Sequence, residues 1–223
     1  PDGIFVVVAA KNGKSGCYQS ALVRAIKAHE GNADQVAFAD EKTLISSGID
    51  SSVLAWDLTN GQIVRRFEGV SSRVVEMIVA RQHAKLIVLN EDGKLFAWNL
   101  NDGSQSVIPE SVNQSSYRRM GLHSDGRRLA TLDTKGRFHV LNVVDLSEES
   151  NGASPVTDAS SIEFLGNGAI VCAAESMAFI AGNTSTVNSV KAHQGAIIGL
   201  VVVPDKDEYI TAGEDGKILA WSV

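Results

Sequence analysis

The sequence predicts an all-β chain built from repeated four-stranded antiparallel units, and three observations carry that prediction. A turn Asp precedes Trp by six residues at Asp50–Trp56, Asp92–Trp98 and Asp215–Trp221, so all 3 tryptophans occupy one repeat position. Weaker copies put Tyr18, Leu141 and Ala181 in the same place, and positions 18, 56, 98, 141, 181 and 221 lie 38, 42, 43, 40 and 40 residues apart. A second register keeps step: Asp2, Asp40, Asp125 and Asp205 each stand 11 residues ahead of Gly13, Ser51, Gly136 and Gly216. A period of about 40–45 residues suits a unit of four short strands.

The strands follow in order within each unit. Gln35–Phe38, Val74–Val79 and Ile197–Val203 read as an innermost strand. Leu44–Ser46, Leu86–Leu89 and Tyr209–Thr211 read as the second, and Val53–Leu58, Leu95–Leu100 and Ile218–Val223 as the third. Ile63–Phe67 follows Asn60-Gly61 and reads as a fourth, because Asn-Gly tolerates the positive φ of a tight hairpin. Pro1-Asp2-Gly3, Ser124-Asp125-Gly126 and Pro204-Asp205 are one recurring turn, in which Pro fixes φ and Asp bonds its own backbone. Ser147–Pro155 is polar and acidic and reads as an exposed loop between strands. No stretch reads as a helix. Many short strands at regular spacing point to a closed all-β architecture.

Composition narrows the class of function. Of 223 residues 44% are hydrophobic and 21% charged, as expected of a globular chain with a sizeable core. The net charge of −6 gives no general attraction for nucleic acid, which needs clustered cations. Cys17 and Cys172 are too few for a disulfide framework or a metal cage and read as buried strand residues. Apolar runs such as Gly3–Ala10 and Ala196–Pro204 are far shorter than a membrane span, and no charged-then-apolar leader opens the chain. The setting expected is therefore intracellular. The sequons at Asn113 and Asn183 carry little weight.

With Trp56-Asp57, the altered pairs Trp98-Asn99 and Trp221-Ser222, and the upstream Ala28-His29 and Ala192-His193, the chain resembles the WD40-repeat family over essentially its whole length. His29 precedes Trp56 by 27 residues and His193 precedes Trp221 by 28, which fits that family's His-to-Trp interval. The family favours Gly-His, so Ala-His departs from it; Val70 stands near the expected His of the Trp98 copy, and Ala181-Gly182 replaces Trp-Asp altogether. The resemblance implies a β-propeller of four-stranded blades. About six blade units are visible as one domain over 1–223, with the first and last incomplete, as in an excerpt from a six- or seven-bladed ring.

His29, Ser46, Asp50 and Trp56 recur as His193, Thr211, Asp215 and Trp221. A Ser/Thr, a His and an Asp could form a hydrolase triad. The resemblance implies instead a hydrogen-bonded tetrad inside each blade, and recurrence at fixed offsets suits a structural device better than an active site. Gly13-Lys14-Ser15 lacks the earlier Gly of a phosphate loop, since Val8 stands there. His29, His83, His123, His139 and His193 show no metal-ligand spacing. The expectation is therefore a non-catalytic scaffold for protein–protein interaction in a multiprotein assembly. No cofactor, metal, small-molecule substrate or membrane insertion is expected. It would be cytoplasmic, with nuclear or cytoskeletal and ciliary assemblies also open.

By the resemblance, the loops that carry His and Asp form a binding face. Asn32, Arg73, Glu91, Lys135, Gln194 and Glu214 are its candidate contacts. One stretch is unusually basic: Arg118, Arg119, Arg127, Arg128, Lys135 and Arg137 stand against Asp125 and Asp133. It supplies the alternative, an RNA- or phosphate-binding module, because Arg forks grip phosphate bidentately.

Overall fold

The computed structural model describes residues 26–223 apart from 155, 157, 182–186 and 205. Tyr18, Cys17, Gly13-Lys14-Ser15, the turn at Asp2, the Asn183 sequon and Asp205 lie outside the described residues. The described chain is all-β, with 18 strands in five antiparallel sheets. The first sheet holds β1 (Ala33–Phe38), β2 (Thr43–Gly48), β3 (Val53–Asp57) and β4 (Gln62–Phe67). The second holds β5 (Val74–Ala80), β6 (Lys85–Asn90) and β7 (Leu95–Asn99). The third holds β8 (Tyr117–Leu122), β9 (Arg128–Asp133), β10 (Arg137–Asn142) and β11 (Glu148–Ala153). The fourth holds β12 (Ser161–Phe164), β13 (Ile170–Ala174), β14 (Met177–Ala181) and β15 (Val187–Lys191), and the fifth β16 (Ile197–Val202), β17 (Glu208–Gly213) and β18 (Ile218–Ser222).

Each sheet is a meander in which every strand pairs with the next in sequence. Short turns make this possible; at Asn60-Gly61 the glycine takes φ +77° and its amide bonds the Asp57 carbonyl at 2.7 Å. Trp56, Trp98, Leu141, Ala181 and Trp221 pair in turn with Leu44, Leu86, Leu129, Ile170 and Tyr209 of the second strand, so they occupy equivalent places. The innermost strands β1, β5, β8 and β16 also share one irregularity, a register shift at Ala33/Gln35, Val74/Glu76, Tyr117/Arg119 and Ile197/Gly199.

The core lies between the sheets rather than in a single mass. Ile45, Val53, Ala55 and Phe67 of the first sheet meet Val74, Leu86, Val88 and Trp98 of the second. Ile87, Leu89, Leu95 and Ala97 face the other way, onto Met120, Leu129 and Leu141 of the third. Ala130 and Leu132 then meet Ile162, Ile170 and Cys172, and Val171 and Ala173 meet Ile197 and Tyr209. Alternate residues of one strand thus serve opposite neighbours, as the two-residue side-chain period dictates. The second strand β6, covered on both faces, is buried along its whole length and is apolar from Leu86 to Leu89. Burial also pushes the Cys172 thiol up to about 12, which keeps it protonated and unreactive.

Three features differ from the sequence reading. Ser147–Pro155 is not simply a loop, since Glu148–Ala153 forms β11, the outer strand of the third sheet. Its side chains are largely exposed, so pairing to β10 rests on backbone hydrogen bonds and leaves no apolar alternation to read. Gly152 has a steric reason: a Cβ there would lie 2.3 Å from the Phe138 ring. Two short helical pieces appear as well, a 3-10 turn at Arg81–His83 and one α-turn, α1, at Glu110–Asn113. The second sheet has no full outer strand. Gln105 makes an isolated bridge to Trp98, and the chain then turns into α1, which buries Val112 against Leu95 and Tyr117.

Candidate functional site

Two networks tie the loop ahead of an inner strand to the turn between the second and third strands. In the first sheet the Trp56 indole N–H donates to Ser46 Oγ at 2.9 Å, and Ser46 Oγ lies 2.7 Å from His29 Nε2. His29 Nδ1 is 2.8 Å from Ser52 Oγ and 3.1 Å from Asp50 Oδ1. Asp50 also accepts the amides of Glu30 and Ser52. Donors and acceptors match throughout when His29 carries its proton on Nδ1. The fifth sheet repeats the arrangement. Trp221 Nε1 donates to Thr211 Oγ1 at 2.9 Å, His193 Nε2 is 2.9 Å from that oxygen, and Nδ1 is 2.8 Å from Asp215.

Burial raises the Asp50 carboxyl, but hydrogen bonds from Ser52, the Glu30 amide and His29 outweigh it and hold it at about 2. Asp215 is held at about 2 as well, first by the Gln194 amide and then by His193 and the Lys217 amide. A folded pKa below the ordinary value means that the interaction contributes above about pH 4 and is lost as pH falls toward 2. Asp50→Asn is therefore expected to cost about 1–2 kcal/mol at pH 7. Urea unfolding at a series of pH values should find wild type and variant converging near pH 2.

The order Asp–His–Ser has the layout of an acyl-transfer relay, but its hydroxyl is enclosed. Ser46 is 2% exposed and Thr211 0%, and each oxygen is held between an indole and an imidazole. Such an oxygen offers no face to a substrate, so the networks act as locks.

The sheets without these locks use another solution that the sequence reading missed. Gly48 and Gly213 leave room for the His rings, since a Cβ would come within 2.5 Å of His29 and 2.4 Å of His193. The same place holds Asn90 and Asp133 in the second and third sheets, opposite Val74 and Tyr117. Asn90 accepts the Lys94 amide and donates to Ser71; Asp133 accepts the amides of Lys135 and Arg137. Asp133 also bonds Arg137 Nε at 3.1 Å and His139 Nε2 at 3.3 Å, while Glu148 stands 3.2 Å from His139 Nδ1. The signal was legible: Gly stands two residues before the turn Asp in the copies that have His, and Asn90 stands there where His is lacking.

Beside the locks of the first and fifth sheets, and beside Asn90 and Asp133 in the second and third, Asn32, Arg73, Glu91, Lys135, Gln194 and Glu214 are all exposed, at one end of their sheets. Main-chain bonds stitch the loops in pairs: Ile49 to Asn32, Glu91 to Arg73 and Glu214 to Ala196. Arg73 makes a bidentate pair with Asp34, at 2.8 and 2.9 Å. Each of the six thus lies exposed on a loop at the equivalent end of its own sheet.

The basic stretch is not gathered. Arg118, Arg119 and Arg137 stand at the loop end of the third sheet, whereas Arg127 and Arg128 stand at the opposite end of the β8–β9 hairpin. Six residues of strand separate those ends by about 20 Å. Most of the cations are also engaged: Arg118 with Asp158, Arg119 with the Ser160 carbonyl and Glu76, Arg128 with Asp125 and the Phe164 ring, and Arg137 with Asp133. No group of three or more His, Cys, Asp or Glu among the described residues could hold a metal ion. No helix among them is long and apolar enough to cross a membrane.

No family model matches the chain. Curated relatives do. The target of rapamycin complex subunit wat1 of Schizosaccharomyces pombe is 24% identical over 197 residues, covering 87% of this chain and 52% of that protein. The target of rapamycin complex subunit LST8 of Saccharomyces cerevisiae is 25% identical over 138 residues, covering 60% of this chain and 44% of that protein. A bromodomain and WD repeat-containing protein of Dictyostelium discoideum is 32% identical over 69 residues, covering 29% of this chain and 3% of that protein. The chain spans about half the length of the two complex subunits it matches.

Proposed function

We propose that this chain is a WD-repeat protein and that it serves as a non-catalytic scaffold holding proteins together within a multiprotein assembly. The observation that carries this reading is the set of exposed loops beside the locks and beside Asn90 and Asp133. Six exposed polar residues sit on loops fixed from below by buried hydrogen bonds, so side chains there can vary without loosening the sheets. Relatives that are complex subunits support it.

Closure of the sheets into a six- or seven-bladed ring belongs to the same proposal. In the first sheet Ile45, Val53 and Ala55 are buried against the second. Their counterparts Ile210, Ile218 and Ala220 in the fifth sheet include Ile218 at 76% exposure, against 1% for Val53. A further sheet packed on that face would bury it.

The test is size. Wild-type chain in native extract is expected to migrate in gel filtration well above the 23.7 kDa of the free chain. A variant with Glu91→Lys, Gln194→Ala and Glu214→Lys should shift to the free position while its melting temperature stays unchanged. Migration of the wild type as free chain would overturn the scaffold reading. An unshifted variant would move the interface off this surface.

A further inference from the structure

The inner strands of the second, third and fourth sheets bring together a cluster of ionisable groups that neither the locks nor the loop surface uses. Glu76 of β5 reaches across to β8: its Oε2 accepts the Met120 amide and its Oε1 stands 3.6 Å from Arg119 Nε. Arg119 reaches on toward β12, donating from Nε to the Ser160 carbonyl at 2.8 Å, and folds back onto the Arg118 carbonyl at 2.7 Å. Glu163 lies on β12, beyond β8. The two backbones come together at Gly121, where a Cβ would lie 2.3 Å from the Ile162 carbonyl oxygen. No hydrogen-bond donor to the Glu163 carboxyl is found among the described residues.

Glu76 thus has one guanidinium nearby, already bonded to main-chain carbonyls, while Glu163 stands beside Gly121, its Cα 3.2 Å from where a Cβ there would lie, next to the Met120 amide that Glu76 holds. The surrounding charges are matched elsewhere. Arg73 pairs with Asp34 of β1, Arg118 with Asp158, and Asp125 takes His123 and Arg128 at the far end of β8. Lys85 of β6 donates to the Val144 carbonyl, and Asp133 of β9 takes Arg137 and His139. From β1, Gln35 brings only a neutral amide, bonded to the Val75 carbonyl, and β13 and β16 carry no charged side chain.

We propose that Glu76 and Glu163 form a proton-dependent latch across the inner strands of three successive sheets, closed while one carboxyl is neutral and loosened when both are charged. Burial pushes both carboxyls up to about 7; the Met120 amide and Arg119 oppose the rise at Glu76, and the charge of Glu76 adds to it at Glu163. The folded pKa lies above the ordinary value near 4.5, so the fold binds protons more tightly than the unfolded chain does. The latch contributes fully below that ordinary value and is lost as pH rises through about 7. Its midpoint thus falls where a cell's pH varies.

The readout is hydrogen exchange of the Met120 amide, which Glu76 holds. It is followed in the full chain between pH 6 and 8 and corrected for the intrinsic chemical rate. Protection is expected to fall about tenfold over that interval, the size of a one-unit pKa difference. Glu163→Gln is nearly isosteric and should abolish the fall, keeping protection high at pH 8. Amides of the β13–β14 pairing, such as Val171, should not change. Constant protection at Met120 in the wild type would overturn the latch. So would an undiminished fall in Glu163→Gln, or an equal fall throughout the chain.

Discussion

Replacing Trp98 by Ala should lower stability by about 3–5 kcal/mol, the usual cost of emptying a large aromatic site in a packed core. Trp98 is 2% exposed and lies between the first two sheets, tilted on Phe67 at 5.5 Å and stacked on Phe96 at 6.2 Å. Those rings are fixed on separate strands and cannot close over the void. Domains of this size lose roughly 2–4 °C of melting temperature per kcal/mol, so a fall of about 10 °C is expected. Trp221 gives the internal comparison. It holds the same repeat position but is only half-buried, stacked on Tyr209 at 6.1 Å. Trp221→Ala should cost about half as much, much of it the hydrogen bond to Thr211. Equal losses at both positions, measured by calorimetry, would show that burial between sheets does not set the cost.

Gly213→Ala should cost about 3 kcal/mol, although it adds one methyl group. The new Cβ would sit 2.4 Å from two atoms of the His193 ring and 2.9 Å from Asp215 Oδ1. The ring must then move, and its bonds to Thr211 and Asp215 go with it. His193→Ala removes the obstruction and leaves Thr211 with the Trp221 bond alone. In that background Gly213→Ala should cost under about 1 kcal/mol, so the two changes are strongly coupled. A double-mutant cycle by urea unfolding measures this directly. Additive costs would mean that the glycine serves some purpose other than room for the imidazole.

Those two sites also mark what could be read in the chain. The interval from turn Asp to Trp placed β2, β3, β6, β7, β17 and β18 within a few residues, because the turn and the tryptophan hold fixed places in each hairpin. β11 was missed because nothing covers it: a strand joined on one edge and wet on both faces carries no hydrophobic period. The Arg118–Arg137 stretch misled in the opposite way. Nearness along a hairpin placed its charges at opposite ends, next to carboxylates from other strands. Asp158 is 40 residues from Arg118, which it meets. Glu76 and Glu163 gave no signal, since their environment exists only where three strands converge.

The division of the core into seams gives the molecule an insulation that a single apolar mass would lack. Each cluster is shared by two adjacent sheets and by no third, so the energies couple nearest neighbours, like links in a chain. A fault in one link strains the two beside it and fades beyond them. The third and fourth sheets, which carry Leu141 and Ala181 where others carry tryptophan, still have their own apolar seam and one further seam on each outer side.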